Sequence, residues 1–141
     1  MSEHTLDDKG RLVLPRKHRD PLRSGCVVSK HFDGSLGVWP SQAFDMFIEQ
    51  TRDLPSTRGD VRSFVRTLHA TAESQEPDKQ GRINIPEVLR RYAGLESTVV
   101  VTGADTHLEL WSPEKWAAVE AEDDDRLRTM DVDLRATGRP S

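Results

Sequence analysis

One phrase of ten residues is written twice in this chain of 141 residues. "LDDKGRLVLP" stands at 6–15 and "PDKQGRINIP" at 77–86. Sliding the sequence so that Asp7 falls on Asp78 also puts Gly10 on Gly81, Arg11 on Arg82, Pro15 on Pro86 and Arg19 on Arg90. After one extra residue in the second copy, Leu36 matches Leu108, Trp39 matches Trp111 and Phe44 matches Trp116. An ordered series of matches with a single slip is an internal duplication. It limits the fold severely. Four short strands and a helical turn cannot bury both of their faces. The two copies must therefore share one core, as a pseudo-dimer within one chain.

Each copy predicts the same elements. "DDKG" and "DKQG" are turns: Asp binds backbone amides ahead of it, and Gly accepts positive φ at the end. Beyond each Gly the chain alternates. Arg11 and Val13 face one way, Leu12 and Leu14 the other; Arg82 and Asn84 oppose Ile83 and Ile85. Period two with one apolar face is a half-buried strand. Pro15 and Pro86 end these strands and open helical turns over 15–22 and 86–95. "CVVSKHF" and "STVVVTG" read as buried strands, and "LGVW" and "LELW" as alternating ones. Helices follow over 41–54 and 112–125, with Ser41 and Ser112 at N-cap positions.

These elements divide the chain into a first repeat, 1–53, a linker, 54–70, a second repeat, 71–122, and a flexible C-terminal tail, 123–141. Val61, Phe64, Val65 and Leu68 fall at helical spacing, so the linker carries an amphipathic helix. The tail holds too little apolar surface to fold alone.

Several functional classes find no support. No run approaches the ~20 apolar residues of a membrane span, and the polar, acidic start does not read as a secretory signal. Cys26 is the single cysteine and reads as a small buried hydrophobe in a reducing compartment. His4, His18, His31, His69 and His107 show no metal spacing. The acidic run Asp123–Asp125 reads as a solvated helix end. Neither a catalytic set nor a nucleotide loop is present, so no enzyme activity, cofactor, metal or small-molecule substrate is expected. Trp39, Trp111 and Trp116 are expected in the core or at an interface.

The net charge is −4, yet Lys9, Arg11, Arg16, Lys17, Arg19, Arg23 and Lys30 cluster in one stretch with Asp20 the only acid. The matching stretch, 80–101, holds Arg82, Arg90 and Arg91 against Glu87 and Glu96. Two readings stand at this point: a surface that meets phosphate, and a solvated face with internal ion pairs. Arg11 and Arg82 likewise either fork onto a base edge or phosphate, or lock the turn by pairing with Asp7 and Asp78.

The doubled D-x-x-x-R motif (Asp7/Arg11, Asp78/Arg82), together with "LRRYAGL" and "LELWSPEKW", resembles the MraZ family of bacterial transcriptional regulators over about residues 3–120. That family has two tandem SpoVT/AbrB-like domains. The resemblance implies a β-rich α+β fold. The fold it implies is a swapped-hairpin AbrB-like barrel built as an intrachain pseudo-dimer of two βαββ-type repeats with additional helices. It further implies ring-like homo-oligomers, a cytoplasmic, nucleoid-associated location, and binding to direct repeats in double-stranded DNA upstream of the division and cell-wall gene cluster. On this reading Lys9, Arg11, Arg16, Lys17 and Arg82 contact DNA, while Asp7, Gly10, Asp78 and Gly81 build the turns. Two departures from the family are a chain start a few residues short, which implies a clipped first strand, and His18 where the second copy has Leu89. An alternative is an AbrB-type antitoxin or protein-interaction module that uses its C-terminal tail, "TMDVDLRATGRPS".

Overall fold

The computed structural model describes residues 1–133. The first repeat contributes β1 (Ser2–Thr5), β2 (Arg11–Val13), β3 (Cys26–Lys30), β4 (Leu36–Pro40) and α1 (Ser41–Thr51). Helix α2 (Gly59–Thr71) links it to the second. There follow β5 (Glu73–Gln75), β6 (Arg82–Asn84), α3 (Glu87–Ala93), β7 (Thr98–Gly103), β8 (Leu108–Trp111) and α4 (Pro113–Thr129). The result is a mixed α+β fold in which every strand pairing is antiparallel. Among the described residues no helix is long and apolar enough to cross a membrane.

Six strands form a sheet in the order β1-β7-β8-β4-β3-β5, and β2 pairs with β6 in a separate ribbon. Exchanging each strand for its counterpart reverses the sheet order and leaves it unchanged, so a pseudo-twofold axis runs between β4 and β8. The repeats are intertwined. β1 pairs all four of its residues with β7 of the second repeat, and β5 pairs with β3 of the first. The sheet is open: β1 and β5 are its edges, and closure into a barrel is not seen in the pairings.

Burial explains the sharing. Leu12 and Ile83 face each other across the ribbon and are fully buried, in one cluster with Leu14, Ile85, Val28, Val38, Val99 and Leu110. Neither repeat owns this core. Val27 and Trp39 join Phe44 and Leu68 in a second cluster on the other side of β3 and β4, under α1 and α2. The amphipathic linker helix thus buries Leu68 and packs Phe64 there, while Val61 and Val65 stay half-buried. Cys26 is buried in the shared core, and burial pushes its thiol up to about 11.

The helical turns expected after Pro15 and Pro86 are both present, but they differ: the first is two short 3-10 turns, Arg16–His18 and Asp20–Leu22, whereas its counterpart is the α-helix α3. Pro21 supplies the reason, since it has no amide to donate and crowds the preceding turn. His18 stays half-buried in the first of these turns. Ser41 is not an N-cap: α1 begins on it, after Pro40. Ser112 is one, and its Oγ accepts from the Lys115 amide at 3.2 Å. Finally, residues 123–129 are not part of a structureless tail. They continue α4 as an exposed helix to Thr129, with Arg128 paired to Asp125 at 2.8 Å. The final eight residues of that tail, 134–141, lie outside the described residues.

Candidate nucleic-acid interface

The two copies of the motif meet on the β2–β6 ribbon. Its register sets Arg11 opposite Asn84, Leu12 opposite Ile83 and Val13 opposite Arg82. Alternation does the rest: with Leu12 and Ile83 turned into the core, Arg11, Val13, Arg82 and Asn84 share the outward face. The ribbon is extended symmetrically, since the Leu14 amide donates to the Gly81 carbonyl at 2.9 Å and the Ile85 amide to that of Gly10 at 2.8 Å.

Each turn is organised by its aspartate. Asp7 Oδ1 accepts from the Lys9 and Arg11 amides, both at 2.9 Å, and Oδ2 accepts from Arg11 Nε at 2.7 Å. Asp78 repeats this with the amides of Gln80, at 3.0 Å, and Arg82, at 2.9 Å, and with Arg82 Nε at 2.7 Å. Gly10 and Gly81 close the turns at φ 77° and 78°, values that a side chain would strain. The Arg11 amide, followed by its guanidinium and the Lys9 amide, holds the Asp7 carboxyl below the usual aspartate range. The amide and guanidinium of Arg82, with the Gln80 amide, do the same for Asp78. Both arginines pair with their aspartates and also remain partly open to solvent, at 31% and 28% side-chain exposure. The two uses left open by the residue pattern are therefore compatible, because the pairing engages Nε.

Lys9 is exposed at one turn, and Arg16 and Lys17 are exposed on the 3-10 turn that directly follows β2 and Pro15. The second turn exposes Lys79, one position earlier than its counterpart. It lies just before the stretch 80–101, within the motif "DKQG". Each turn thus carries one lysine, and the charge divergence of the repeats is smaller at the turns than in the segments behind them.

Two further arginines support the turns from behind. Arg19 Nε donates to the Leu14 carbonyl at 2.8 Å, and Arg90 Nε to the Ile85 carbonyl at 2.9 Å. Arg19 also lines a cleft of about 260 Å³ with Arg23, Pro77, Asp78, Lys79 and Gly81. Their match in the repeat was visible in the sequence; their packing across it was not. Other cations are engaged locally, Arg23 with Asp20 at 2.8 Å and Arg91 with Glu87 at 3.1 Å.

The matched turns, the shared ribbon and the intertwined strands all follow from the duplication, and a known family model also matches the chain in two consecutive stretches. The family model described as "MraZ protein, putative antitoxin-like" matches residues 1–67 and again 68–139. The chain belongs to the MraZ family. A protein named transcriptional regulator MraZ from Limosilactobacillus reuteri (strain DSM 20016) is 40% identical over 131 residues, covering 93% of this chain and 92% of its own. Those so named from Thermobifida fusca (strain YX) and Salinispora tropica are 45% identical over 117 residues and 41% over 133. They cover 83% and 93% of this chain, and 82% and 94% of their own lengths. The names of these MraZ relatives state transcriptional regulation and no enzymatic reaction.

The expectation that the histidines form no metal set rests on their spacing along the chain, and folding overturns that basis. His31, at the end of β3, His107, before β8, and Glu109, on β8, lie together with their ligand atoms within 4.8 Å of one another. The tryptophans lie as expected of core residues: Trp39 and Trp111 are buried, and Trp116 is half-buried beside Trp111.

Proposed function

We propose that this protein is a sequence-specific DNA-binding transcriptional regulator that reads DNA with the β2–β6 ribbon. One observation carries the reading: Arg11 and Arg82, one from each repeat, stand on the same outward face of a two-stranded ribbon whose other face is locked into the core. A ribbon of this kind fits the major groove. There an arginine forks onto guanine O6 and N7, or onto a phosphate. Asp7 and Asp78 hold each guanidinium by Nε, which preorganises it at little further entropic cost. Lys9, Arg16 and Lys17 supply phosphate contacts that fix the register without reading sequence, and Lys79 joins them.

On this reading the exchange of β1 and β5 between the repeats is the swapped-hairpin arrangement of the AbrB type. The protein acts as a homo-oligomer in the cytoplasm and nucleoid, on direct repeats that precede the division and cell-wall genes. One ribbon reads few base pairs and binds weakly. Several ribbons on one assembly facing repeats spaced by a helical turn raise the effective concentration and so the affinity.

The test is a gel shift with that upstream fragment, alongside light scattering. Arg11→Ala and Arg82→Ala each weaken specific binding by about 1–3 kcal/mol per site and leave the particle size of the wild type. Unchanged affinity in both variants refutes the ribbon as the reading element.

A further inference from the structure

On the side of the sheet covered by α1, away from the ribbon, three side chains converge from both repeats. His31 follows β3, and its carbonyl is fixed by the Tyr92 hydroxyl, which donates to it at 2.6 Å. His107 ends the β7–β8 turn, where its carbonyl accepts from the Ala104 amide at 2.8 Å. Glu109 lies on β8 directly opposite Gly37 on β4, a neighbour with no side chain to compete for space. Both imidazoles are held by aromatic packing. His107 stacks on Trp39 with ring centres 4.0 Å apart, and His31 meets Trp39 edge-on at 5.7 Å.

The polar atoms of this group do not satisfy one another. Nε2 of His31 is 3.8 Å and Nε2 of His107 is 3.9 Å from Glu109 Oε2, too far for a hydrogen bond. His107 Nε2 is buried and has no hydrogen-bond partner among the described residues. An orphaned buried nitrogen aimed at a carboxylate costs free energy unless something stands between them. The two histidine side chains are 8% and 11% exposed and Glu109 is 25% exposed, so the group is sheltered with one open side.

We propose that His31, His107 and Glu109 bind one divalent transition-metal ion of the zinc class, joining the first repeat to the second. Two imidazole nitrogens and a carboxylate oxygen, with a fourth position left to water, are a donor set that suits zinc. Calcium and magnesium prefer all-oxygen sites. Bonds of about 2.0–2.1 Å to a tetrahedral ion put neighbouring ligand atoms about 3.3 Å apart, so the observed 3.8 and 3.9 Å need to close by about half an ångström, and the two imidazole nitrogens, in a set that lies within 4.8 Å, by up to about 1.5 Å. The ion satisfies the orphaned His107 nitrogen. The pseudo-twofold axis does not generate a second copy, since the repeat alignment places Ser35 and Gly37 where His107 and Glu109 would be. One ion per chain is therefore the required stoichiometry.

The test uses the full-length protein, stripped with chelator and titrated with zinc chloride by calorimetry, then with Co²⁺ followed by visible absorption. The expected result is one ion per chain, a raised melting temperature, and the visible bands of four-coordinate Co²⁺. His107→Gln and Glu109→Gln, checked for native circular dichroism, each weaken binding by at least about 10-fold. His4→Ala, which removes a histidine near the N-terminal amine, leaves it unchanged. The proposal is overturned by the absence of saturable binding, or by wild-type affinity in the folded His107→Gln/Glu109→Gln double variant.

Discussion

The guanidinium of Arg19 fills the space that a Cβ on Gly81 would occupy. Such a Cβ would stand 2.7 Å from Arg19 Nε, and one on Gly10 would stand 3.0 Å from Arg90 Nε and Cζ. Each arginine also donates to the carbonyl that ends the ribbon strand of its own repeat. One residue therefore ties the end of its own strand to the turn of the other repeat, and the pair does so twice about the pseudo-twofold axis. This crossed contact is what makes the two motifs one unit.

Substitution at either glycine tests that unit. Gly81→Ala combines a left-handed backbone with a clash against Arg19, and costs about 1–3 kcal/mol. The urea midpoint falls accordingly, with an unchanged slope. Gly10→Ala has a slightly looser neighbour and loses no more than Gly81→Ala. A midpoint equal to wild type in Gly81→Ala would show that the turn and Arg19 move apart at little cost.

Acid loosens the turns, and the sign follows from the direction of the shift. Asp7 and Asp78 lie below the ordinary aspartate value of 3.8 in the folded protein. The stabilisation from their charged forms is thus fully present above about that value and is lost as pH falls through the lower, folded one. In a nuclear magnetic resonance titration the amides of Lys9, Arg11, Gln80 and Arg82 shift with midpoints below 3.8, the ordinary aspartate value. Asp7→Asn removes the transition at Lys9 and Arg11 and leaves it at Gln80 and Arg82. A midpoint at or above the ordinary value would mean that the carboxylates are not held by these bonds.

Much of this arrangement can be read from local sequence. The alternation around Leu12 and Ile83 marks the buried face of the ribbon, and Asp7 and Gly10 mark its turn, because both depend on neighbours a few residues away. Partner choice is not local. Nothing near Ser2–Thr5 says that β1 runs beside β7, and nothing near Arg19 says that it packs over Gly81; both follow only once the repeats share a core. His31 and Glu109 are separated by most of the fold and become neighbours through the β4–β8 pairing. Pro21 is the local signal that keeps the first copy to short 3-10 turns, while α3 of the second copy has no proline within it. The low apolar content of 123–129 points to fraying, whereas Arg126, Leu127 and Arg128, all good helix formers, carry on a helix that is already started in spite of Asp123–Asp125.

The lysines of the two turns make a prediction about salt. If Lys9 and Lys79 each neutralise a phosphate, removing one lowers the slope of log affinity against log salt by about 0.9 per ribbon engaged. Lys9→Ala and Lys79→Ala should act alike, although they occupy different positions of the motif, and the double variant should lose about twice as much. Fluorescence anisotropy at several salt concentrations measures the slopes. A loss confined to Lys9→Ala would restore the unequal reading of the two turns, with the first repeat alone facing DNA.

The last prediction concerns what keeps the ribbon in place. Leu12 and Ile83 are directly opposed and buried, at 0% and 1% exposure. Truncating either to alanine leaves a cavity at the junction of the repeats and costs about 2–5 kcal/mol. The two sites share that cavity, so the double variant should cost less than the sum of the singles, by an interaction of about 0.5–3 kcal/mol. Val13→Ala, on the outward face, stays within about 0.5 kcal/mol of wild type. Urea denaturation of wild type, the two single variants and the double variant closes the cycle, with Val13→Ala as the control. Strict additivity would show that Leu12 and Ile83 are anchored separately, each by its own repeat. The ribbon would then be two strands resting on two cores, and Arg11 and Arg82 would owe their common face to the hydrogen-bond ladder alone.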